Sequence, residues 1–215
     1  MDIIKNFTAI KNKIIKYSHL DTQIIAVSKT FSLDHVKPLI DLGHLHFGEN
    51  RVNEAVLKWS NEVKNNLNLK IHLIGKLQSN KIKDAIKIFS YIHSLDSKKL
   101  AILLDKEQKK KSINIKYFIQ VNIGNENQKS GILLDDLEDF INFCKLNTKL
   151  NIIGLMCIPP VDNLPNFYFK KMNELAKKYS YKQLSMGMSN DYITAIENGA
   201  TFIRIGSGIF GVRSN

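Results

Sequence analysis

The stretch IIAVSKT, residues 24–30, opens the pattern that decides the fold. Its first five residues read as a strand covered on both faces, and a lysine at the end of such a strand must either reach water or take part in chemistry. Seven further short runs follow: HLHF (44–47), KIHLI (70–74), YIHS (91–94), IKYFIQVNI (115–123), NIIGLMCI (151–158), KQLSM (182–186) and TFIRIG (201–206). Longer segments with helical periodicity separate them. Eight such runs alternating with helices predict an α/β chain folded as a (β/α)8 TIM barrel at the compact end of its size range, with an open doubly wound sheet as the alternative.

Helix boundaries support the same rhythm. Ser32 and Asp34 open a helix that Gly43 closes, Ser189 to Asp191 opens one that Gly199 closes, and Asp135 and Asp136 are expected in the first turn of another. Ile3, Phe7, Ile10 and Ile14 stand at helical spacing, which predicts one extra amphipathic helix over residues 2–17. The nine residues after the eighth run leave little room for a full closing helix, so the N-terminal helix is expected to cover that gap. No repeat and no low-complexity linker divides the chain, so residues 1–215 are expected to form a single domain.

Composition narrows the class. With 44% apolar residues in 24.6 kDa the chain can build one core without disulfides. Cys144 and Cys157 have neither CxxC nor zinc-type spacing, which fits a reduced, cytoplasmic setting. The first residues lack the apolar run of a signal peptide, and no segment approaches a membrane-spanning length. The net charge of +11 would ordinarily suggest nucleic acid. Here the lysines are scattered along the whole chain and only Arg51, Arg204 and Arg213 are arginines, so neither nucleic acid nor a membrane surface is expected as partner. KEQKKK (106–111) reads as a solvated helix end whose cations suit the helix dipole.

In a barrel the residues just after each strand share one rim, and function gathers there. That rim would carry Lys29, Gly48 to Asn50, Gly75, Ser94 and Asp96, Asn122, Met156 and Pro159, Ser185 to Ser189, and Arg204 to Gly208. The stretches SMGMSND (185–191) and RIGSGIFG (204–211) stand out, because glycines and serines ahead of a helix present bare backbone N–H groups suited to phosphate. Barrels often hold phosphate after strands seven and eight. A lysine across the mouth, a phosphate cradle and an arginine between them describe a site for pyridoxal 5′-phosphate (PLP). Lys29 would supply the amine, which must be neutral to attack an aldehyde, and burial favours that form. Asn50, on the same rim, joins the cofactor-binding candidates.

Plainer roles compete with each of these. A lysine in so basic a chain is most often a solvated surface group. Arg204 could serve a salt bridge, Gly206 close packing, and Ser189 a helix cap. His44 and His46 alternate and so would share a strand face, which with His72 and His93 raises the question of a metal. Barrel metal sites want a carboxylate facing the histidines, whereas the eighth strand supplies the cation Arg204, so no metal is expected. GNENQKSG (124–131) is like a phosphate loop only superficially, because Gln128 stands where that loop needs glycine. The IPP turn at 158–160 reads as a rigid loop.

Taken in order, IIAVSKT, HFGENRVNEA, IHLIGKLQSNK, SLDS, QVN…KSG, GLMCIPP, LSMGMSNDYITAIENG and IRIGSGIFG resemble the pyridoxal phosphate homeostasis proteins, the YggS or PROSC family. The resemblance runs from about residue 24 to residue 211. It implies a single-domain fold-type III barrel like the N-terminal domain of alanine racemase, and a Schiff base on Lys29. It implies phosphate contacts near Ser189, Gly206 and Ser207, with Arg204 facing the pyridine nitrogen. It also implies a binding and distribution role for PLP, with no established catalysis. PLP-dependent apoenzymes are the candidate partners, and a monomer is expected. Lys76 departs from the pattern, since the family commonly has histidine there, which bears on the local rim charge. The rival is an amino-acid racemase of the same fold type. Such racemases bring a second base, a tyrosine, from an added β domain, for which this chain is expected to have no residues left.

Overall fold

The structure, a computed structural model, describes residues 2–17, 21–126, 128–161 and 164–211. Asn127 of the GNENQKSG stretch and Arg213 therefore lie outside the described residues. Eight strands, β1 (Gln23–Val27), β2 (His46–Glu49), β3 (Lys70–Leu73), β4 (Tyr91–Leu95), β5 (Lys116–Val121), β6 (Asn151–Cys157), β7 (Gln183–Met188) and β8 (Phe202–Ile205), form a closed barrel. Each strand is parallel to the next, and β8 returns to β1 with Ile25 opposite Arg204. This is the predicted barrel, and the open sheet is set aside.

Helices α2 (Leu33–Asp41), α3 (Val52–Trp59), α5 (Ile82–Ile88), α6 (Lys98–Lys111), α7 (Leu137–Asn147), α8 (Pro165–Lys178) and α9 (Tyr192–Glu197) follow strands in turn, with a short α4 (Glu62–Asn65) after α3. The helix α1 (Ile3–Ile15) buries Ile3, Phe7 and Ile14, as the spacing predicts, and Asp2 caps it by accepting from the Lys5 N–H. Among the described residues, β8 is followed by the one-turn α10 (Ser207–Phe210). The Asn6 side chain donates to the Ile209 carbonyl at 3.1 Å, so α1 covers the thin sector of the helical ring.

Ser32 caps α2 by accepting from the His35 N–H, and Gly43 ends it at φ +87°. The Gly43 N–H reaches the Ile40 carbonyl and the His44 N–H the Leu39 carbonyl, the paired bonds of a Schellman closure. That closure explains a departure in β2. The His44 amide is occupied in ending α2, and its ring nitrogen Nε2 donates to the His46 carbonyl at 2.8 Å, so the strand starts at His46 rather than 44. His44 and His46 therefore do not share a strand face.

Two helix starts also differ from expectation. Asp136 occupies the N-cap of α7 without a side-chain bond, and the first-turn acids are Glu138 and Asp139, not Asp135 and Asp136. Asp191 rather than Ser189 precedes α9, and its carboxylate turns back to accept from the Met188 N–H at 2.6 Å. Gly199 closes α9 at φ +89° as predicted. The lysines of KEQKKK end α6, which stops at Ser112 in a left-handed conformation.

Apolar residues divide between a shell under the helices and an inner layer of Ile25, Tyr91, Phe118, Met156 and Phe202 inside the barrel. With that inner layer lie buried polar groups: His72, His93, Ser185 and Arg204.

Candidate functional site

Side chains alternate along a strand, so Ile25 and Val27 face the barrel interior while Ala26 and Ser28 face the helices. Lys29, half-buried, follows two residues beyond the end of the strand, where the same alternation, continued, would turn it to the inner side of the mouth. The chain turns at once: the Phe31 N–H donates to the Ser28 carbonyl at 3.1 Å, and Thr30 takes φ +71°. A positive φ at the third position marks a type II turn, where glycine fits easily and a β-branched residue does not. Something must hold this turn against that preference.

The holding group is Glu49, wholly buried at the end of β2. Its Oε1 accepts from Ser28 Oγ at 2.7 Å, Lys58 Nζ at 2.8 Å and Trp59 Nε1 at 3.0 Å. Lys58 also donates to the Ser28 carbonyl at 2.7 Å. Lys58 is itself only 10% exposed, so this buried ion pair ties the residue before Lys29 to α3. A buried pair of this kind is strongly destabilising to break by removing one partner. The sequence offered Glu49 as a rim residue, but its partners stand nine and ten positions away on a helix and were not legible without the fold.

Arg204 projects inward from β8 and is 4% exposed. One terminal nitrogen donates to Ser185 Oγ at 2.7 Å and the other to the Cys157 carbonyl at 2.8 Å. Burial pulls its pKa below the ordinary arginine value, yet a guanidinium keeps its proton in proteins. Among the described residues no carboxylate forms an ion pair with it. The salt-bridge role considered for Arg204 is therefore not the one it plays.

Gly206 follows just past the end of β8, against Val27. A Cβ placed there would meet Val27 only at ordinary contact distance, 3.5 Å, so packing does not demand glycine at this position. Ser207 and Gly208 are exposed. Ser189 Oγ accepts from the Gly208 N–H at 3.2 Å, joining the end of β7 to the start of α10. Ser189 thus ties the two glycine-rich stretches together and does not cap α9. The strand ends bring to one sector of the mouth Lys29, just past β1, Arg204 on the adjoining β8, Gly206 and Ser207 at the start of α10, and Ser189 just past β7. Asn50 stands further round the mouth, its carbonyl so close to Gly75 that a Cβ there would fall 2.3 Å away.

Other rim features resolve in the same way. Burial pushes the Asp96 carboxyl above the usual range and the charge of Lys76 partly offsets this, so Lys76 acts on Asp96. The IPP loop packs on the GNENQKSG loop: a Cβ on Gly124 would collide with the Pro160 ring, and Lys129 donates to the Pro159 carbonyl at 3.1 Å. Burial raises both thiols, Cys144 to about 11 and Cys157 to about 12, so neither is a nucleophile at neutral pH. His46, His72 and His93 form a line of hydrogen bonds instead of converging on a point. A cavity of about 410 Å³, bordered by Lys70, Tyr91 and Lys116, opens at the other end of the barrel, away from the mouth.

The fold and this mouth define a class: a fold-type III barrel, of the family described as alanine racemase, N-terminal domain, which matches residues 2–214. Within it the chain belongs to the pyridoxal phosphate homeostasis protein family. It is 36% identical over 200 residues to the pyridoxal phosphate homeostasis protein of Aquifex aeolicus, covering 89% of this chain and 87% of that one. The Buchnera aphidicola homeostasis protein is 39% identical over 197 residues, with 87% and 85% covered. Among solved structures, PipY of Synechococcus elongatus without PLP superposes with a TM-score of 0.88 at 33% identity, covering 98% of this chain and 100% of that one. The same protein with PLP bound gives 0.85 at 32% identity, with the same coverage. The alanine racemase of Clostridium difficile shares the fold, with a TM-score of 0.74 at 15% identity over 57% of its own chain.

Proposed function

We propose that this chain, as one cytoplasmic domain over residues 1–215, holds pyridoxal 5′-phosphate reversibly as a Schiff base on Lys29 and serves its supply to PLP-dependent apoenzymes. The observation that carries this reading is the pairing of β1 with β8, which sets Ile25 opposite Arg204 and Val27 against Gly206, with Lys29 two residues further along the chain. The donor set fits the cofactor. Lys29 is the amine for its aldehyde, and Arg204 is the cation for its pyridine ring. The region of Gly206, Ser207 and Ser189 receives its phosphate, and glycine at 206 leaves the backbone open there without being required by packing. Asn50 is the outermost of the assigned contacts. The homeostasis relatives, and PipY with PLP bound, support PLP as the ligand.

Bound to a protein, PLP supplies an electrophilic aldehyde and an electron-withdrawing ring. This chain's residues meet only part of what racemisation needs. A proton must leave one face and return on the other, and Lys29 serves one face. Of the tyrosines, Tyr91 lies inside the barrel, Tyr117 donates to Gln108, Tyr179 to Glu138, Tyr192 lies under Lys13, Tyr168 and Tyr181 pack against the core under the helices, and Tyr17 is exposed after α1. Arg204, keeping its proton, leaves the pyridine nitrogen without one and the ring a poor electron sink. General acid–base assistance is worth about 10²–10⁴-fold, so a site missing one base turns over slowly. The loaded protein, incubated with L-alanine in deuterated water, is expected to exchange the α-proton no faster than free cofactor does. Rapid α-deuteration that vanishes in Lys29→Ala would establish the racemase instead. The chain is taken to act as a monomer.

A further inference from the structure

We infer that the barrel interior holds a one-directional hydrogen-bond column, His46–His72–His93–Ser185, whose role is to position the Arg204 guanidinium, with Ser185 and His93 as positioning residues. The links are short and continuous. His46 Nδ1 lies 3.0 Å from His72 Nε2, His72 Nδ1 lies 2.9 Å from His93 Nε2, and His93 Nδ1 lies 2.9 Å from Ser185 Oγ. Arg204 Nη1 completes the line at 2.7 Å from the same oxygen.

The direction of every link follows from the top. A guanidinium only donates, so Ser185 Oγ accepts from Arg204 and must place its own proton elsewhere. His93 Nδ1 is the acceptor the structure offers, which makes His93 the Nε2–H tautomer. That proton is donated to His72 Nδ1, so His72 is Nε2–H as well, and it donates in turn to His46 Nδ1. The opposite direction would bury the Ser185 proton without an acceptor beside a cation. An imidazolium in the column would set donor against donor, and burial, the largest influence on both His72 and His93, also holds them neutral.

Stacking fixes the column sideways. The His72 ring lies 4.2 Å from Tyr91 and the His93 ring 4.3 Å from Phe118, both nearly parallel. Arg204 is thus held by two neutral acceptors, Ser185 Oγ and the Cys157 carbonyl, which fix its plane without cancelling its charge. A carboxylate would hold it equally firmly and neutralise it. The functional part of this inference rests on the reading that Arg204 faces PLP; the tautomers do not.

Two measurements test it. Imidazole ¹⁵N NMR of the cofactor-free protein at neutral pH is expected to show His72 and His93 both as neutral Nε2–H tautomers. Nδ1–H on either ring, or a cationic ring, overturns the column. In Ser185→Ala the His93 tautomer is expected to lose its uniformity, PLP affinity to fall about tenfold, and the absorption of the bound cofactor to shift. His93→Leu should do the same, whereas His93→Asn, whose carbonyl can accept from Ser185, should restore most of the affinity. Wild-type affinity and spectrum in both Ser185→Ala and His93→Leu would overturn the positioning role. If the unaltered protein takes up no PLP, the functional proposal fails, the positioning role falls with it, and the tautomers still decide the column.

Discussion

Lys29→Ala is expected to abolish the visible absorption that PLP acquires on this protein, completely and not by degrees. The band requires an imine, an imine requires an amine at the cofactor's aldehyde, and the inner parity of β1 delivers one lysine to that place. Lys129 also reaches the rim, but its amine is engaged by the Pro159 carbonyl and by Glu126. Lys29→Arg separates charge from chemistry, because arginine keeps the cation and forms no imine. Both variants should lose the band, while Lys29→Arg keeps more of the electrostatic attraction for the phosphate. Neither should disturb the fold, since Lys29 is half-buried and the turn around it is fixed by Glu49 and Lys58. An unchanged band in Lys29→Ala would place the imine elsewhere.

The second large effect is loss of stability in mild acid. Burial lowers the pKa of His44 to about 4 and holds His72 and His93 well below 6.5, so all three are neutral in the fold at pH 6. In the unfolded chain each titrates near 6.5. The unfolded state therefore binds more protons below that value, and stability, complete above it, falls as the pH drops. Each such histidine contributes about 1.4 kcal/mol per pH unit, so three together give a slope of about 4 kcal/mol per unit. For His44 alone the span down to about 4 is worth about 3 kcal/mol. Asp96, whose carboxyl burial pushes up, opposes this by a single proton at lower pH. Against a typical total of 5–15 kcal/mol, a loss at this slope is expected to lower the unfolding midpoint steeply as the pH falls below about 6. Urea titrations at several pH values would measure the slope, and a stability flat from pH 7 to 5 would contradict it.

Much of this was legible in the sequence, because the informative residues sit where a regular rule applies. Buried parallel strands read as apolar runs, so all eight were found, and the end of each run placed Lys29, Arg204 and Gly206 on one rim. Errors arose where a side chain or amide was engaged by something out of register. His44 looked like strand but closes α2, and Ser189 looked like a cap but accepts from Gly208 at the start of α10. The Glu49–Lys58–Trp59 lock joins a strand end to a helix, and no local pattern announces it. The histidines were noticed as a group, but alternation alone could not say whether they converge or line up. Their partner Ser185 belongs to β7, ninety-two positions from His93, and only barrel closure brings the two together.

The most direct measurement is borohydride reduction of the PLP-loaded protein followed by a peptide map. Reduction converts the imine to a stable pyridoxyl-lysine, so the adduct records which amine held the cofactor. A single pyridoxyl group on the peptide carrying Lys29 is the expected result. An adduct mainly on any other lysine, or scattered over several, would contradict the central claim.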